Sequence, residues 1–131
     1  MKLIQRTIEK VITAAGYTDQ YEKAVEQRRT FHLRATVEGY EPLVIEVLGN
    51  NEVSVAHYYT QNGDAMRDPE IVFNGDWNAV EITQDSLGVY RRTQPGYYMP
   101  KVNSFAVQWA ANLIDQGFAD ASQAAYSSLT N

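Results

Sequence analysis

The stretch TFHLRATV, residues 30–37, constrains the architecture more than any other: apolar Phe31, Leu33, Ala35 and Val37 alternate with Thr30, His32, Arg34 and Thr36. A period of two marks a strand with one face buried and one face open. Beyond the turn EGYEP, LVIEVL (43–48) reads as a second strand, GNN as a tight connection and EVSVAHYY (52–59) as a third, which makes an antiparallel meander. EIVFN and WNAVEITQD supply strands four and five, with Trp77 expected to pack on the sheet, and SLGVYRR is expected to extend it by an edge strand.

A sheet with one apolar face needs cover, and helical patterns stand at both ends of the chain. In LIQRTIEKVITAAGY the residues Leu3, Ile4, Ile8, Val11, Ile12 and Ala15 fall on one helical face, with Gly16 as the stop. TDQYEKAVEQRR holds a short second helix. After the loop TQPGYYMPK, NSFAVQWAANLIDQG is expected to open a helix at Asn103 or Ser104 and close it at Gly117, with Trp109 in the core. FADASQAAYSSL is expected to form a last helix along Phe118, Ala121, Ala125 and Leu129. The expectation is one α+β domain over residues 1–131: an N-terminal helix, an antiparallel meander of about five strands, and C-terminal helices packed on one face.

Charge and composition narrow the function. Without cysteine there is no disulfide framework, thiolate metal site or thiol nucleophile. No apolar run reaches the roughly 20 residues of a membrane span, and Arg6, Glu9 and Lys10 interrupt what would be a signal peptide's apolar part, so a cytoplasmic location is expected. The net charge of −5 is unevenly spread: residues 1–34 hold seven Lys or Arg against four acids, whereas the remainder holds four against twelve. The acidic remainder argues against nucleic acid as a partner and favours either plain solubility or a protein with a basic surface.

The densest cluster of polar chemistry is HYYTQNGDAMRDPEIVF, residues 57–73. Asn62-Gly63 is a strong hairpin signal, yet Thr60 to Glu70 reads as an eleven-residue loop with a turn at Asp68-Pro69. His57, Asp64, Asp68 and Glu70 are the right kinds of group for a divalent metal or an acid–base pair, but their spacing matches no calcium loop or zinc motif. The structural account gives Asp64 and Asp68 the task of capping loop amides, pairs Arg67 with one of them, and puts Tyr58 and Tyr59 on opposite faces of their strand. As a binding site the segment offers His57, Tyr58, Asp64, Arg67, Asp68 and Glu70. A second contact patch gathers Tyr90, Arg91 and Arg92 with Tyr97 and Tyr98 of GYYMP (96–100), residue types enriched at interfaces. No catalytic residue, metal ligand or cofactor is assigned.

The run HYYTQNGDAMRDPE, with the apolar strand before it and AVEITQDSLGVY after it, resembles an uncharacterised domain-of-unknown-function family of phages, plasmids and conjugative elements over about residues 43–90. That resemblance implies a mobile-element setting and carries no reaction with it. The expected function is therefore a non-catalytic interaction protein of a phage or mobile element that binds a basic host protein, in the specific form of an inhibitor of a host defence system resembling an anti-CRISPR protein. The alternative is a small enzyme or nucleotide- or metal-binding domain centred on residues 57–70. A homo-oligomer with tyrosines at its self-interface is the third reading.

Overall fold

Helix α1 (Leu3–Ala15) buries Ile4, Ile8, Val11 and Ile12, one stripe of its surface, and ends at Gly16. There φ reaches 83°, a left-handed value that a glycine adopts without steric cost, and the Gly16 and Tyr17 amides donate back to the Thr13 and Ile12 carbonyls. Helix α2 (Thr18–Glu26) follows at once and buries Tyr21 and Ala24. These elements come from a computed structural model that describes residues 1–129; the last two residues of the 1–131 domain assignment lie outside them.

Strands β1 (Thr30–Val37) and β2 (Leu43–Leu48) keep the bounds read from the sequence, β1 from its alternation and β2 from its apolar run. They are followed by β3 (Val53–Gln61), β4 (Asp64–Phe73), β5 (Ala79–Gln84) and β6 (Val89–Arg92), each antiparallel to the strand before it. Helix α3 (Pro100–Asp115) then crosses back over the sheet, and β7 (Ala124–Ser127) closes the far edge beside β1. The sheet has seven strands in the order β6-β5-β4-β3-β2-β1-β7. The α+β class and the meander stand as read from the sequence, with more strands than the expected five.

Three expectations are corrected. The segment expected to form a last helix contains β7, whose Ala124, Ala125, Tyr126 and Ser127 pair with Val37, Thr36, Ala35 and Arg34. The unpaired edge of β1 supplies the hydrogen bonds that settle this, since four small or aromatic residues carry no decisive period of their own. Helix α3 starts at Pro100 rather than Asn103, because proline at the first helical position gives up an amide that has no partner there anyway. Asn103 instead turns inward, accepting the Ala79 amide at 2.7 Å and donating to Asn78 Oδ1 at 3.0 Å. It thereby ties α3 to the start of β5.

The third correction is the eleven-residue loop. Tyr58–Gln61 and Asp64–Arg67 pair with each other in register, joined by Asn62 and Gly63 at φ 53° and 85°. Two positive φ values give the tight turn whose twist matches the strands, so the Asn-Gly signal governs the whole segment. Asp68-Pro69 lies in β4 at a bulge, where the register passes from Ala56↔Glu70 to Tyr58↔Arg67 and two residues oppose the single His57. Proline lacks the ladder donor and is tolerated at such a position.

All three helices contribute to one core with the same sheet face: Phe31, Leu33, Ile45, Val55, Ile71, Phe73 and Ile82 from the strands meet Ile8, Val11, Tyr21, Ala106, Trp109 and Leu113. Trp77 stacks on Phe73 with ring centroids 5.4 Å apart. On the opposite face the buried Thr83 hydroxyl has no hydrogen-bond partner among the described residues. Exchanging it for a methyl removes an unsatisfied polar group at constant shape, so Thr83→Val is expected to raise the unfolding free energy by about 1 kcal/mol in urea titration.

Candidate functional site

Alternation in β1 to β6 sends every second side chain to the face away from the helices, and among the described residues no helix covers that face. From β1 it receives His32, Arg34 and Thr36; from β2, Val44 and Glu46; from β3, Ser54, Ala56 and Tyr58. Directly opposite these stand Glu70, Val72 and Arg67 of β4, then Thr83 and Glu81 of β5, then Tyr90 and Arg92 of β6. Its centre is small or β-branched and its surroundings are long and charged. Ser54, Ala56 and Val72 are nevertheless nearly inaccessible to water. The apolar stems and polar heads of the longer neighbours lie over them.

Two ion-pair networks organise this face. In the first, Glu70 accepts the Ser54 hydroxyl at 2.6 Å and Arg67 Nη1 at 3.3 Å, while Asp85, in the 3-10 turn Asp85–Leu87, accepts both the Arg67 amide at 2.7 Å and Arg67 Nε at 3.3 Å. Asp85 thus stands in for a missing ladder partner where β4 outruns β5. The Arg67 amide, and then its guanidinium, hold the Asp85 carboxyl below the usual carboxylate range. Tyr58 sits opposite Arg67, and burial, reinforced by Glu70 and Glu46, pushes its phenol up. In the second network Arg92 reaches from edge strand β6 over the row of Val72 to Glu52, Nη2 to Oε2 2.7 Å, and contacts Glu81 on the way at 3.3 Å. Tyr90 donates to the same Glu81 oxygen at 3.0 Å.

Tyr97 and Tyr98, 67% and 50% exposed, stand beside this second network. They ride on a turn in which Pro95 and Gly96 occupy the central positions, Gly96 at φ 87°, and the Tyr97 amide closes on Gln94 O. On either side the Thr93 and Met99 amides are pinned to the β5 carbonyls of Val80 and Ala79. The tyrosines therefore stand on a turn whose backbone is tied to β5. With Arg92, Glu52 and Asp76 they line an open groove of about 410 Å³.

The structure brings together most of the sequence candidates but not all of them. Tyr58, Arg67 and Glu70 share the helix-free face with Tyr90, and Tyr97 and Tyr98 flank it. Asp64 is at the tip of the β3–β4 hairpin opposite Gln61, exposed beyond the sheet. Asp68, at the bulge, is hydrogen-bonded by the Ser86 hydroxyl and caps no loop amide among the described residues. Arg67 pairs with Glu70 and Asp85, not with Asp64 or Asp68. Arg91 lies across from Ile82 and so projects to the helix side.

His57 is on the wrong side for the cluster. Its parity is that of Val53 and Val55, and its ring lies 5.6 Å from those of Trp109 and Phe118 under α3. Nδ1 is 3.1 Å and 3.3 Å from the Glu41 and Pro42 carbonyls, which only accept, so Nδ1 carries the proton of a neutral imidazole. Burial draws its pKa below the ordinary 6.5, against the smaller opposing effect of those carbonyls. The unfolded chain takes up a proton near pH 6.5 and the folded chain only at lower pH, so the stability from neutral His57 is complete above that pH and is lost as pH falls below it. The slope approaches about 1.4 kcal/mol per pH unit at most. Urea midpoints should fall through this window for the native chain and stay flatter for His57→Leu.

Among the described residues no three His, Asp or Glu side chains converge as a metal cluster, and none of the helices is long and apolar enough to cross a membrane. Arg92, named beside Tyr90 and Arg91 in the second contact patch, stands at the centre of the second network, whereas Glu46, Glu52, Ser54, Glu81 and Asp85 were absent from the sequence candidates. Glu46 and Glu81 had a signal, as single charges at open-face positions of otherwise buried strands.

The fold and its uncovered face define an α+β protein with a broad, charged sheet surface. A family described as Domain of unknown function (DUF6908) matches residues 6–119, and the chain belongs to that family. The match begins within α1, runs past the end of α3 and leaves β7 outside it. No curated protein and no solved structure matches the chain.

Proposed function

We propose that this chain is a non-catalytic interaction protein whose helix-free sheet face, with the Tyr97–Tyr98 turn at its margin, docks on the basic surface of another protein. The observation that supports this reading is the charge of that face: Glu46, Glu52, Glu70, Glu81 and Asp85 stand against Arg34, Arg67 and Arg92, five acids to three bases. Several of these groups are already paired and fixed in position, so little side-chain freedom is lost when a partner lands. Exposed tyrosines on a backbone pinned to β5 supply contact area of the kind that anchors interfaces. The resemblance of HYYTQNGDAMRDPE to a family of phages and conjugative elements favours a host protein as the partner, and blocking a defence effector is the role that suits a small acidic binder in that setting.

The test uses the intact chain as bait in a bacterial host lysate, followed by affinity measurement with the purified partner. Glu46 and Asp76 have no ion-pair partner among the described residues, so reversing them disturbs the face without breaking its networks. Glu46→Lys with Asp76→Lys is expected to weaken binding at least about tenfold, and raising salt to weaken the native complex likewise. A folded double variant that binds as tightly as the native chain, at low and high salt alike, overturns the reading.

A further inference from the structure

Helix α3 is apolar on two sides. Val102, Ala106, Trp109, Ala110 and Leu113 face the core. On the side away from it, Ser104, Val107, Ala111 and Ile114 follow a three-four-three spacing, all exposed, with Val107 at 54% and Ile114 at 40%. That spacing is the a/d seam of a coiled coil, drawn in residues small enough for close helix approach. A surface helix ordinarily carries polar residues there.

The charges of α3 supply the second observation. Its only charged residues are Lys101 and Asp115, fourteen positions apart on the e-type flank of the same seam, with Gln108 midway between them. Both are exposed and without a hydrogen bond or ion pair among the described residues. Each also stands at the unfavourable pole of its own helix: the cation is in the first turn, where the dipole is positive, and the anion at the last residue, where it is negative. A lone helix would be better served by the reverse order.

We propose that this face of α3 is a self-association surface, on which a second copy packs its own α3 antiparallel about a two-fold axis. That pairing lays seam on seam, and brings Lys101 of each copy beside Asp115 of the other, since antiparallel helices set e positions against e positions. Each misplaced charge then meets the opposite charge and the opposite helix pole of the partner chain. Parallel packing would leave Lys101 near Lys101 and Asp115 near Asp115. The contact is on the far side of the sheet from the proposed docking face, so dimerisation presents two such faces and does not depend on what they bind.

Sedimentation velocity of the intact chain, over roughly two decades of micromolar concentration, is expected to show a reversible monomer–dimer equilibrium. Lys101→Glu alone and Asp115→Lys alone should each raise the dimer dissociation constant at least about tenfold, because every salt bridge of the homodimer becomes a like-charge contact. Mixing the two variants restores opposite charges at both ends, and the mixture should sediment as dimer at concentrations where neither variant alone does. Each substitution improves the match to its own helix dipole, so circular dichroism should show both variants folded. A chain that remains monomeric throughout, a dimer indifferent to the two substitutions, or a mixture that stays monomeric overturns the proposal. None of these results bears on capture of a basic partner by Glu46 and Asp76.

Discussion

Phe73→Ala is expected to cost about 3–5 kcal/mol of unfolding free energy, a large share of the 5–15 kcal/mol by which a domain of this kind is stable. Phe73 is fully buried at the end of β4, between Val53 of β3 and Ala79 of β5, and its ring packs against Trp77. Trp77 itself is held in a left-handed conformation at φ 61° and cannot easily swing in to fill a void. The cavity therefore persists, and its cost adds to the lost transfer free energy. Urea unfolding should show a lower midpoint at an unchanged slope. Phe73→Leu, which keeps most of the volume, should lose less than half as much.

Glu70→Ala is expected to cost about 2–3 kcal/mol although the residue lies on the helix-free face and carries a charge. Its side chain is only 13% exposed and accepts the Ser54 hydroxyl at 2.6 Å. Ser54 is itself 2% exposed, so removing the carboxylate strands a buried donor. Arg67 keeps Asp85 and loses little. The discriminating measurement is a double-mutant cycle: with Ser54→Ala already made, removing Glu70 should cost at least about 1 kcal/mol less, because the donor it would strand is gone. Asp64→Ala, at the exposed hairpin tip, should change stability by under about 0.5 kcal/mol. The contrast separates the residues that hold the face from those available to a partner.

Much of this was legible from local pattern. The bounds of β1 follow from alternation, those of β2 from a short apolar run between turn residues, and α1 from its stripe and Gly16, because burial leaves its mark directly on neighbouring residues. Position 57 was legible in principle: counting by twos from Val53 and Val55 puts His57 among apolar neighbours and away from Tyr58, Arg67 and Glu70. The charges and the proline of residues 64–70 obscured the hairpin, because a bulge that seats Asp68-Pro69 across from one histidine leaves no periodic trace. The joining of the residue 57–70 candidates to Tyr90 and Tyr97 was not readable. It depends on β5 and β6 lying beside β4, and on turn 94–97 being tied to the β5 backbone.

By itself the sequence determined the α+β class, the first helix, the meander from β1 to β5 and the acidic bias of the chain beyond residue 34, all properties carried by neighbouring residues or by simple sums. The tertiary structure alone decided that Ala124–Ser127 is a strand, that Asp85 and Glu70 share Arg67, that Arg92 spans the sheet to Glu52, and that α3 keeps a second apolar side uncovered. The first three rest on groups far apart in the chain, where an unpaired amide or a stranded charge finds its partner only once the sheet has set its strands side by side, and the last on which side of α3 the sheet leaves exposed.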